Sequence, residues 1–225
     1  MNTEYAIYVV VEGYSEERFV KDVLAKYLLS INDSIRVIPI MIETGRDVHT
    51  KYRGGVSNYS VIRKNILSVC NGHKNAIVTM MFDCYGFPKN IDGKSWDKEN
   101  GVEYVESLIG DNIGRDNFIP FLMKYEFETL LFSDVSCFRS YKGVENTLKS
   151  VLREFNDDPE SVNTVSSPSH RITVAFNNNN RSFSKKTMGI PLVSEIGIQC
   201  MMERCPHFRA WIQRLTESLG ELQYV

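Results

Sequence analysis

No stretch of this 225-residue sequence has the long apolar run that is needed to cross a bilayer. The N-terminus also has no basic segment ahead of an apolar one, so it does not resemble a secretory signal peptide. Both absences predict a cytoplasmic protein without a membrane partner. The Walker loop, the GxSxG elbow and the GxGxxG fingerprint are missing too, which leaves other α/β hydrolases and phosphotransferases as weaker alternatives.

The cysteines and the overall charge argue against several further classes of protein. The five cysteines are scattered and contain no CxxC pair, so neither a disulfide framework nor a usual zinc motif is expected. The formal net charge of −2 is not the strongly basic balance typical of nucleic-acid-binding domains. A nucleic-acid enzyme stays open, because an acidic metal site lowers the net charge while local lysines and arginines hold phosphates.

The stretch that organises the chain is its first strand, turn and helix. The β-branched run Ala6–Val11 predicts a strand that is buried on both faces. Gly13 predicts a tight turn, and Ser15 predicts the N-cap of the following helix. Glu12 lies between them, at the strand end where open α/β sheets bind ligands. It could instead only cap the helix from the loop.

Two later segments repeat the pattern of an apolar strand followed by an acid. Ala76–Phe82 precedes Asp83, and Phe118–Met123 precedes Glu126 and Glu128. Helical spacing between these strands predicts an α/β protein with a mostly parallel sheet flanked by helices. The carboxyl ends of parallel strands share one sheet edge, so the acids are expected to converge there.

The remaining segments complete the predicted architecture. Ile35–Ile42 is predicted as an edge strand, because Pro39 cannot donate to a sheet. Polar composition predicts loops over Glu43–Asn58 and Ser166–Arg171. Helical spacing predicts helices over Glu16–Ser30, Tyr59–Cys70 (ended by a left-handed cap at Asn71-Gly72), Val102–Ile109, Val144–Asn156, Pro191–Cys205 and Phe208–Leu219. We expect a core over residues 1–140 and a helical, loop-rich extension over residues 141–225, packed on the core as one compact unit.

The strand-end acids are suited to a hard divalent metal. Glu12, Asp83 and either Glu126 or Glu128 offer the oxygen ligands that Mg²⁺ or Mn²⁺ takes, and such a metal could assist phosphodiester cleavage. All four are therefore predicted catalytic residues. Phosphate contacts are expected from Arg53, Gly54, Gly55, Arg171 and Lys186. Each of these is otherwise a solvated loop residue.

Two motifs carry a resemblance to Toprim domains. Val11-Glu12-Gly13-Tyr14-Ser15-Glu16 resembles their first motif, in which a strand-end Glu precedes a Gly. Asp83-Cys84-Tyr85-Gly86 stands where that family keeps Asp-x-Asp. The resemblance implies a compact α/β fold with a Toprim/Rossmann-like, mostly parallel sheet, and Mg²⁺-dependent phosphotransfer on nucleic acid.

A fuller resemblance covers nearly the whole chain. It is to a bacterial Toprim-like family catalogued as domain of unknown function 4276, related to the Toprim domains of the overcoming-lysogenisation-defect nucleases. The matching segments are Glu12-Gly13, Arg53–Val56, Asp83–Gly86, Tyr125–Phe132, Pro168–Arg171 and Cys205–Phe208. The resemblance implies a nuclease of phage defence or DNA maintenance, often beside an ABC-type ATPase.

One departure from the Toprim pattern keeps a second function open. Tyr85 replaces the second Asp. A phenol has a pKa of about 10, so it is protonated in water at neutral pH and is a poor Mg²⁺ ligand. Either Glu126 or Glu128 supplies the missing carboxylate, or the site does no chemistry. The alternative is a non-catalytic Toprim-like module that binds nucleic acid, a nucleotide or a partner protein.

Overall fold

The computed structural model describes residues 5–46, 51–53, 58–97, 100–163 and 166–222, with backbone alone for residues 44–46, 51–53 and 221–222. Within these ranges, no helix has the length and apolar character of a membrane span. The chain divides into two compact units, Met1–Leu122 with Gln213–Val225 and Met123–Ile212. The predicted division at residue 140 stays a prediction.

The described residues form nine strands and eight α-helices. The strands are β1 (Tyr5–Val11), β2 (Ile35–Met41), β3 (Glu43–Arg46), β4 (Lys51–Arg53), β5 (Ile77–Asp83), β6 (Asn90–Ile91), β7 (Lys94–Ser95), β8 (Phe118–Ile119) and β9 (Leu122–Met123). The helices are α1 (Tyr14–Phe19), α2 (Ala25–Ile31), α3 (Tyr59–Gly72), α4 (Val102–Ile113), α5 (Val144–Glu154), α6 (Pro168–Asn177), α7 (Ile190–Arg204) and α8 (Pro206–Leu222). Short 3₁₀ turns cover Phe127–Phe132, Val135–Phe138 and Pro159–Ser161, and π turns cover Val20–Leu24 and Lys185–Gly189.

The first unit is built on a sheet with strand order β2-β1-β5-β8. Strand β1 is parallel to both β2 and β5, and β5 is parallel to β8. The α/β prediction with a mostly parallel sheet is therefore confirmed. Strand β2 is an edge strand as predicted, and Pro39 lies opposite Val9 of β1.

The core of this unit lies against the central strands, whose apolar runs are buried as predicted. Val10 and Met80 are fully buried in one cluster with Ile62 of α3 and Val105 of α4. Helices α1 and α2 contact β2 and bury apolar residues such as Leu28 of α2. Burying an aliphatic side chain of this size contributes about 1.5–3 kcal/mol. This burial stabilises the paired strands, and their pairing fixes the positions of the strand ends.

Two segments predicted as loops have regular structure. Strands β3 and β4 pair as an antiparallel ribbon within the segment predicted as the loop Glu43–Asn58. The polar composition of the segment predicted a loop. A two-stranded ribbon can form its hydrogen bonds without alternating apolar residues, so the sequence pattern did not indicate these strands. The loop over Ser166–Arg171 is also wrong, since α6 begins at Pro168. Proline suits the first helical turn, where its missing N–H has no helical partner.

Two helix ends also differ from the sequence prediction. The N-cap of α1 is Gly13 rather than Ser15, which is buried inside the first turn. Helix α3 ends at Gly72, and the capping residue after it is His73. The backbone of His73 is not left-handed, so the predicted left-handed cap at Asn71-Gly72 is wrong. His73 instead stacks on Tyr8, with ring centroids 3.9 Å apart.

The second unit is mostly helical. Helix α5 packs against α6, and α7 contacts the 3₁₀ turns Phe127–Phe132 and Val135–Phe138. Its core includes an aromatic cluster in which Phe176 meets Phe138 edge-on at 6.0 Å and Tyr141 at 5.0 Å. The contact with α7 holds the turn Phe127–Phe132, which contains Glu128 and directly follows Glu126.

Candidate metal-binding and catalytic site

Glu12 and Asp83 lie at the same edge of the parallel sheet. Their strands, β1 and β5, are neighbours, and Val11 lies opposite Met81. Glu12 is thus the first residue beyond β1, while Asp83 is the last residue of β5. Both side chains are half-buried. The fold brings these two predicted ligands to adjacent strand ends, as the topology required.

The turn after Asp83 comes close to the Glu12 carboxylate. A Cβ atom built on Gly86 would lie 3.9 Å from Glu12 Oε2 and 4.0 Å from the Asp83 carbonyl oxygen. The carboxylate of Glu12 therefore faces the Cys84–Gly86 turn, and the Phe87 N–H closes that turn on the Cys84 carbonyl at 3.3 Å. Tyr85 is half-buried within it.

Glu16 is a buried acid at this edge that the sequence analysis did not single out as a site residue. It is 7% exposed, and its Oε2 would lie 3.1 Å from a Cβ atom on Gly13. A side chain at position 13 would crowd this carboxylate, so the glycine leaves room for it. The signal in the sequence was an acid in the first helical turn, which the helix dipole explains without a functional role.

Within the described ranges, no three His, Cys, Asp or Glu side chains come together in a group that could hold a metal ion. The acids predicted to share one site are divided between the two units. Glu12 and Asp83 belong to the first unit, and Glu126 and Glu128 belong to the second. The assignment of all four as catalytic residues stays a prediction.

Glu126 caps a helix that is distant in sequence. Its Oε2 accepts a hydrogen bond from the Ser169 N–H, at the start of α6, with a distance of 3.0 Å. The hydroxyl of Ser167 accepts from the His170 N–H at the same helix start. These two bonds satisfy backbone donors that have no partner inside the helix. Two of the motifs quoted above, around Glu126 and Pro168, meet in this contact.

A second glutamate has the same role at α8. Glu160 is 5% exposed, and its two carboxylate oxygens accept from the N–H groups of His207 at 3.0 Å and Phe208 at 3.1 Å. This contact accounts structurally for the Cys205–Phe208 motif, because the motif is the start of a helix.

Glu128 forms a buried ion pair that Glu126 does not have. The Glu128 side chain is 3% exposed, and its Oε2 lies 3.4 Å from Lys185 Nζ. Burial raises the pKa of Glu128, while Lys185 opposes the shift and Glu126 adds to it. The Lys185 ammonium also lies 5.4 Å from the centre of the Phe127 ring. Lys185 is a further candidate functional residue, next to Lys186, whose predicted phosphate contact stays a prediction.

The backbone before these acids is strained. Tyr125 has a φ of +68°, in the left-handed region that residues other than glycine rarely adopt. Such a conformation costs about 1–3 kcal/mol and persists where the surrounding structure enforces it. Here it precedes Glu126, whose side chain is held by α6.

The predicted phosphate contacts fall into three groups. Gly54 and Gly55 lie outside the described residues, as does the side chain of Arg53. Lys186 is exposed. Arg171 is 15% exposed, lies 3.7 Å from Glu154, stacks 4.9 Å from the Phe155 ring centre and donates to the Ser166 carbonyl at 3.3 Å. Its guanidinium is therefore built into the packing around α6.

Comparisons with known proteins place the chain in a family. The family model described as "Domain of unknown function (DUF4276)" matches residues 11–216. No curated protein matches the sequence. Two solved structures of the C-terminal region of the OLD protein from Xanthomonas campestris pv. campestris are similar at 14% identity. The one phased with iodine has a TM-score of 0.45 and covers 100% of both chains. The one phased with mercury has a TM-score of 0.37 and covers 95% of this chain and 99% of that chain. At these values neither structure supports a statement about this chain's activity.

Proposed function

The chain belongs to the DUF4276 family of domains of unknown function, and for this member we propose metal-dependent hydrolysis of phosphodiester bonds in nucleic acid. The observation that carries the proposal is the placement of Glu12 and Asp83 at the carboxyl ends of adjacent parallel strands. The family match agrees with the resemblance on which the Toprim-like nuclease prediction rests.

The residues at this edge fit Mg²⁺ or Mn²⁺. Mg²⁺ is usually held by one or two protein carboxylates, with water and substrate phosphate oxygens completing its shell. Glu12 and Asp83 supply two such carboxylates, so a third protein ligand is not required. When bound, the metal would polarise a phosphate and make a water molecule more acidic.

The chain's own groups have separate tasks in this proposal. Glu12 and Asp83 are the metal ligands, and Gly86 lies in the turn beside the Glu12 carboxylate. Tyr85 has no ligand role in this proposal, because Mg²⁺ takes carboxylate, carbonyl and water oxygens. Glu126 and Glu128 stay predicted catalytic residues, and Glu128 stays a predicted metal ligand.

The proposal predicts that cleavage depends on both strand-end acids. Supercoiled plasmid, linear duplex, single-stranded DNA and RNA are incubated with the purified chain in Mg²⁺, Mn²⁺ or EDTA. Glu12→Gln and Asp83→Asn should each lower cleavage by about 100-fold or more, because each removes an ionised metal ligand while keeping the side-chain shape. Glu103→Gln, at an exposed acid of α4, is the matched control and should cleave normally.

If both site variants cleave as the unmodified chain does in the presence of metal, Glu12 and Asp83 are not the site. A chain that cleaves none of the four polymers, alone or with an added ABC-type ATPase, contradicts the nuclease proposal. The ATPase is proposed as a partner from the sequence resemblance, and its addition is a separate arm of the same assay.

A second candidate function is a non-catalytic module that binds nucleic acid, a nucleotide or a partner protein. It is favoured by Tyr85 in place of an acid and by the finding that the described residues hold no three-ligand metal group. Titration calorimetry with Mn²⁺ separates the two functions. Heat of binding that disappears in Asp83→Asn supports the metal site, and its absence in the unmodified chain supports the module.

A further inference from the structure

A continuous polar groove lies beside α3 in the first unit, and its lining does not include the strand-end acids. One part has a volume of about 770 Å³ between α3 and the β6–β7 hairpin, and a neighbouring part of about 590 Å³ reaches Lys89 and Trp96. Both parts are lined by Asn58, Tyr59 and Asn90, so they form one surface. We call it the α3 groove.

The α3 groove is positively charged in a chain whose formal net charge is −2. Its lining includes Arg63, Lys64 and Lys89, and one acid, Asp92. That acid accepts a hydrogen bond from Asn112 Nδ2 at 2.7 Å. Within the part of the chain that the structure describes, Arg63 and Lys64 form no ion pair. Their charges are thus available to an anion.

One amide orients the cation at the centre of the groove. Asn112 Oδ1 accepts from Arg63 Nε at 2.9 Å and from the Tyr59 hydroxyl at 3.0 Å. The bond at Nε leaves the two terminal guanidinium nitrogens to bind a phosphate in the planar, two-pronged way that arginine favours. The arginine is therefore held in place before any ligand arrives.

The aromatic residues of the groove do not offer faces for base stacking. Tyr59 is 5% exposed and Trp96 is 6% exposed. The Lys89 ammonium lies 3.3 Å from the Trp96 ring centre, and the indole N–H donates to the Pro88 carbonyl at 2.8 Å. The open groups are cations, amides and hydroxyls, which recognise a sugar–phosphate backbone rather than base identity.

The groove opens at the sheet edge that carries Glu12 and Asp83. Helix α3 leads through a short turn into β5, so it runs antiparallel to that strand and its first residue, Tyr59, lies at the carboxyl edge. Pro88 and Lys89 follow the turn at Gly86 in the chain. A strand lying in the groove would thus lead towards the strand-end acids.

We propose that the α3 groove binds the phosphodiester backbone of a nucleic-acid strand, with Arg63 and Lys64 contacting phosphates and Lys89 adding positive charge. This inference rests on the proposed function, since the bound strand is the polymer to be cleaved. Binding is expected to be independent of base sequence and strongly dependent on salt.

The test measures binding without cleavage. Fluorescein-labelled single-stranded DNA, duplex DNA and RNA of two unrelated sequences are titrated with the full chain in EDTA, by fluorescence anisotropy, over a range of salt concentrations. Arg63→Ala/Lys64→Ala should weaken binding by roughly 10- to 100-fold at low salt and reduce the slope of log K against log salt by about two. The loss should be equal for both sequences.

A matched control removes the same charge elsewhere. Lys21→Ala/Lys26→Ala changes two exposed lysines on the helical segment Tyr14–Ile31 and should bind as the unmodified chain does. Arg63→Lys/Lys64→Arg keeps both charges and should retain binding to within a few-fold. If the double alanine variant fails to fold by circular dichroism, Lys64→Ala alone should reduce the slope by about one.

Several outcomes overturn the proposal. They are no binding of any polymer by the unmodified chain, equal losses in the groove and control variants, or normal binding by the groove variant. Because binding is measured in EDTA, without the metal that cleavage would need, the two proposals fail separately. Groove-dependent binding without cleavage contradicts the nuclease, and cleavage without groove dependence contradicts the groove.

Discussion

At the scale of single residues, Glu128 is the most deeply buried acid among the described residues. Burial is the largest cause of its raised pKa, and Lys185 at 3.4 Å only partly offsets it. The folded chain therefore holds the Glu128 proton more tightly than the unfolded chain does. A stabilising contribution is present below the unfolded pKa and is lost as the pH rises through the folded pKa.

Glu128→Gln should remove this pH dependence. The unfolding free energy of the variant, relative to the unmodified chain, should increase as the pH rises above about 4, where a glutamate of the unfolded chain ionises. Urea unfolding followed by tryptophan fluorescence at several pH values measures the difference. Glu154→Gln, at a side chain that is 64% exposed, is the control for loss of a glutamate charge. A flat difference for Glu128→Gln would contradict the role of burial.

The sequence prediction of site residues relied on one rule, that acids directly after buried parallel strands meet at the same sheet edge. The rule predicted that Glu12 and Asp83 lie at the same sheet edge, since a residue at a strand end has a position fixed by the sheet, while their roles stay a prediction. It did not identify Glu16 or Lys185, because their burial and pairing come from tertiary packing. It also could not separate Glu126 from Glu128, whose different partners lie far along the chain.

At the scale of elements, distant glutamates cap two helix starts. Glu126 accepts from Ser169 at the start of α6, and Glu160 accepts from His207 and Phe208 at the start of α8. The helix at Pro168 was predicted as a loop because its first residues are turn formers. The strands β1 and β5 were predicted well, because a buried parallel strand needs an apolar run that is visible in the sequence.

Glu160→Ala should destabilise the protein by roughly 2–4 kcal/mol, because two N–H groups lose a charged acceptor in a buried place. Glu160→Gln keeps one acceptor oxygen and should cost about half as much. Glu145→Ala breaks a pair with Lys149 at 2.6 Å, in which the lysine is exposed and the glutamate half-buried, and should cost less than about 1 kcal/mol. Urea unfolding gives all three values, and equal costs for the two alanine variants would refute the capping role.

At the scale of the whole molecule, all five cysteines are free thiols in environments that disfavour the thiolate. Burial raises the pKa of Cys70 and Cys84 to about 11 and that of Cys205 to about 12, and it raises the pKa of Cys137 and Cys200 as well. The scattered spacing in the sequence predicted free cysteines. It could not predict that burial would raise the pKa values of their thiols.

The native chain should therefore react slowly with a thiol reagent. At neutral pH, two units of raised pKa reduce the thiolate of Cys70 and Cys84 by about 100-fold. Alkylation with iodoacetamide, read by mass spectrometry of peptides, should label these two sites at least that much more slowly in the native chain than in guanidinium chloride. Equal rates in the two conditions would show that the thiols are accessible and ionised.

The parallel sheet has a consequence for how the protein is made. Strand β1 pairs with β2 and with β5, and the second pairing joins Ile7 to Ile77. During synthesis, β1 and β2 leave the ribosome long before β5 exists, so the valine-rich β1 has one unpaired edge for that interval. Such an edge recruits other chains. Soluble expression should thus depend on how soon β5 follows, and a chaperone that shields β1 would act in that interval.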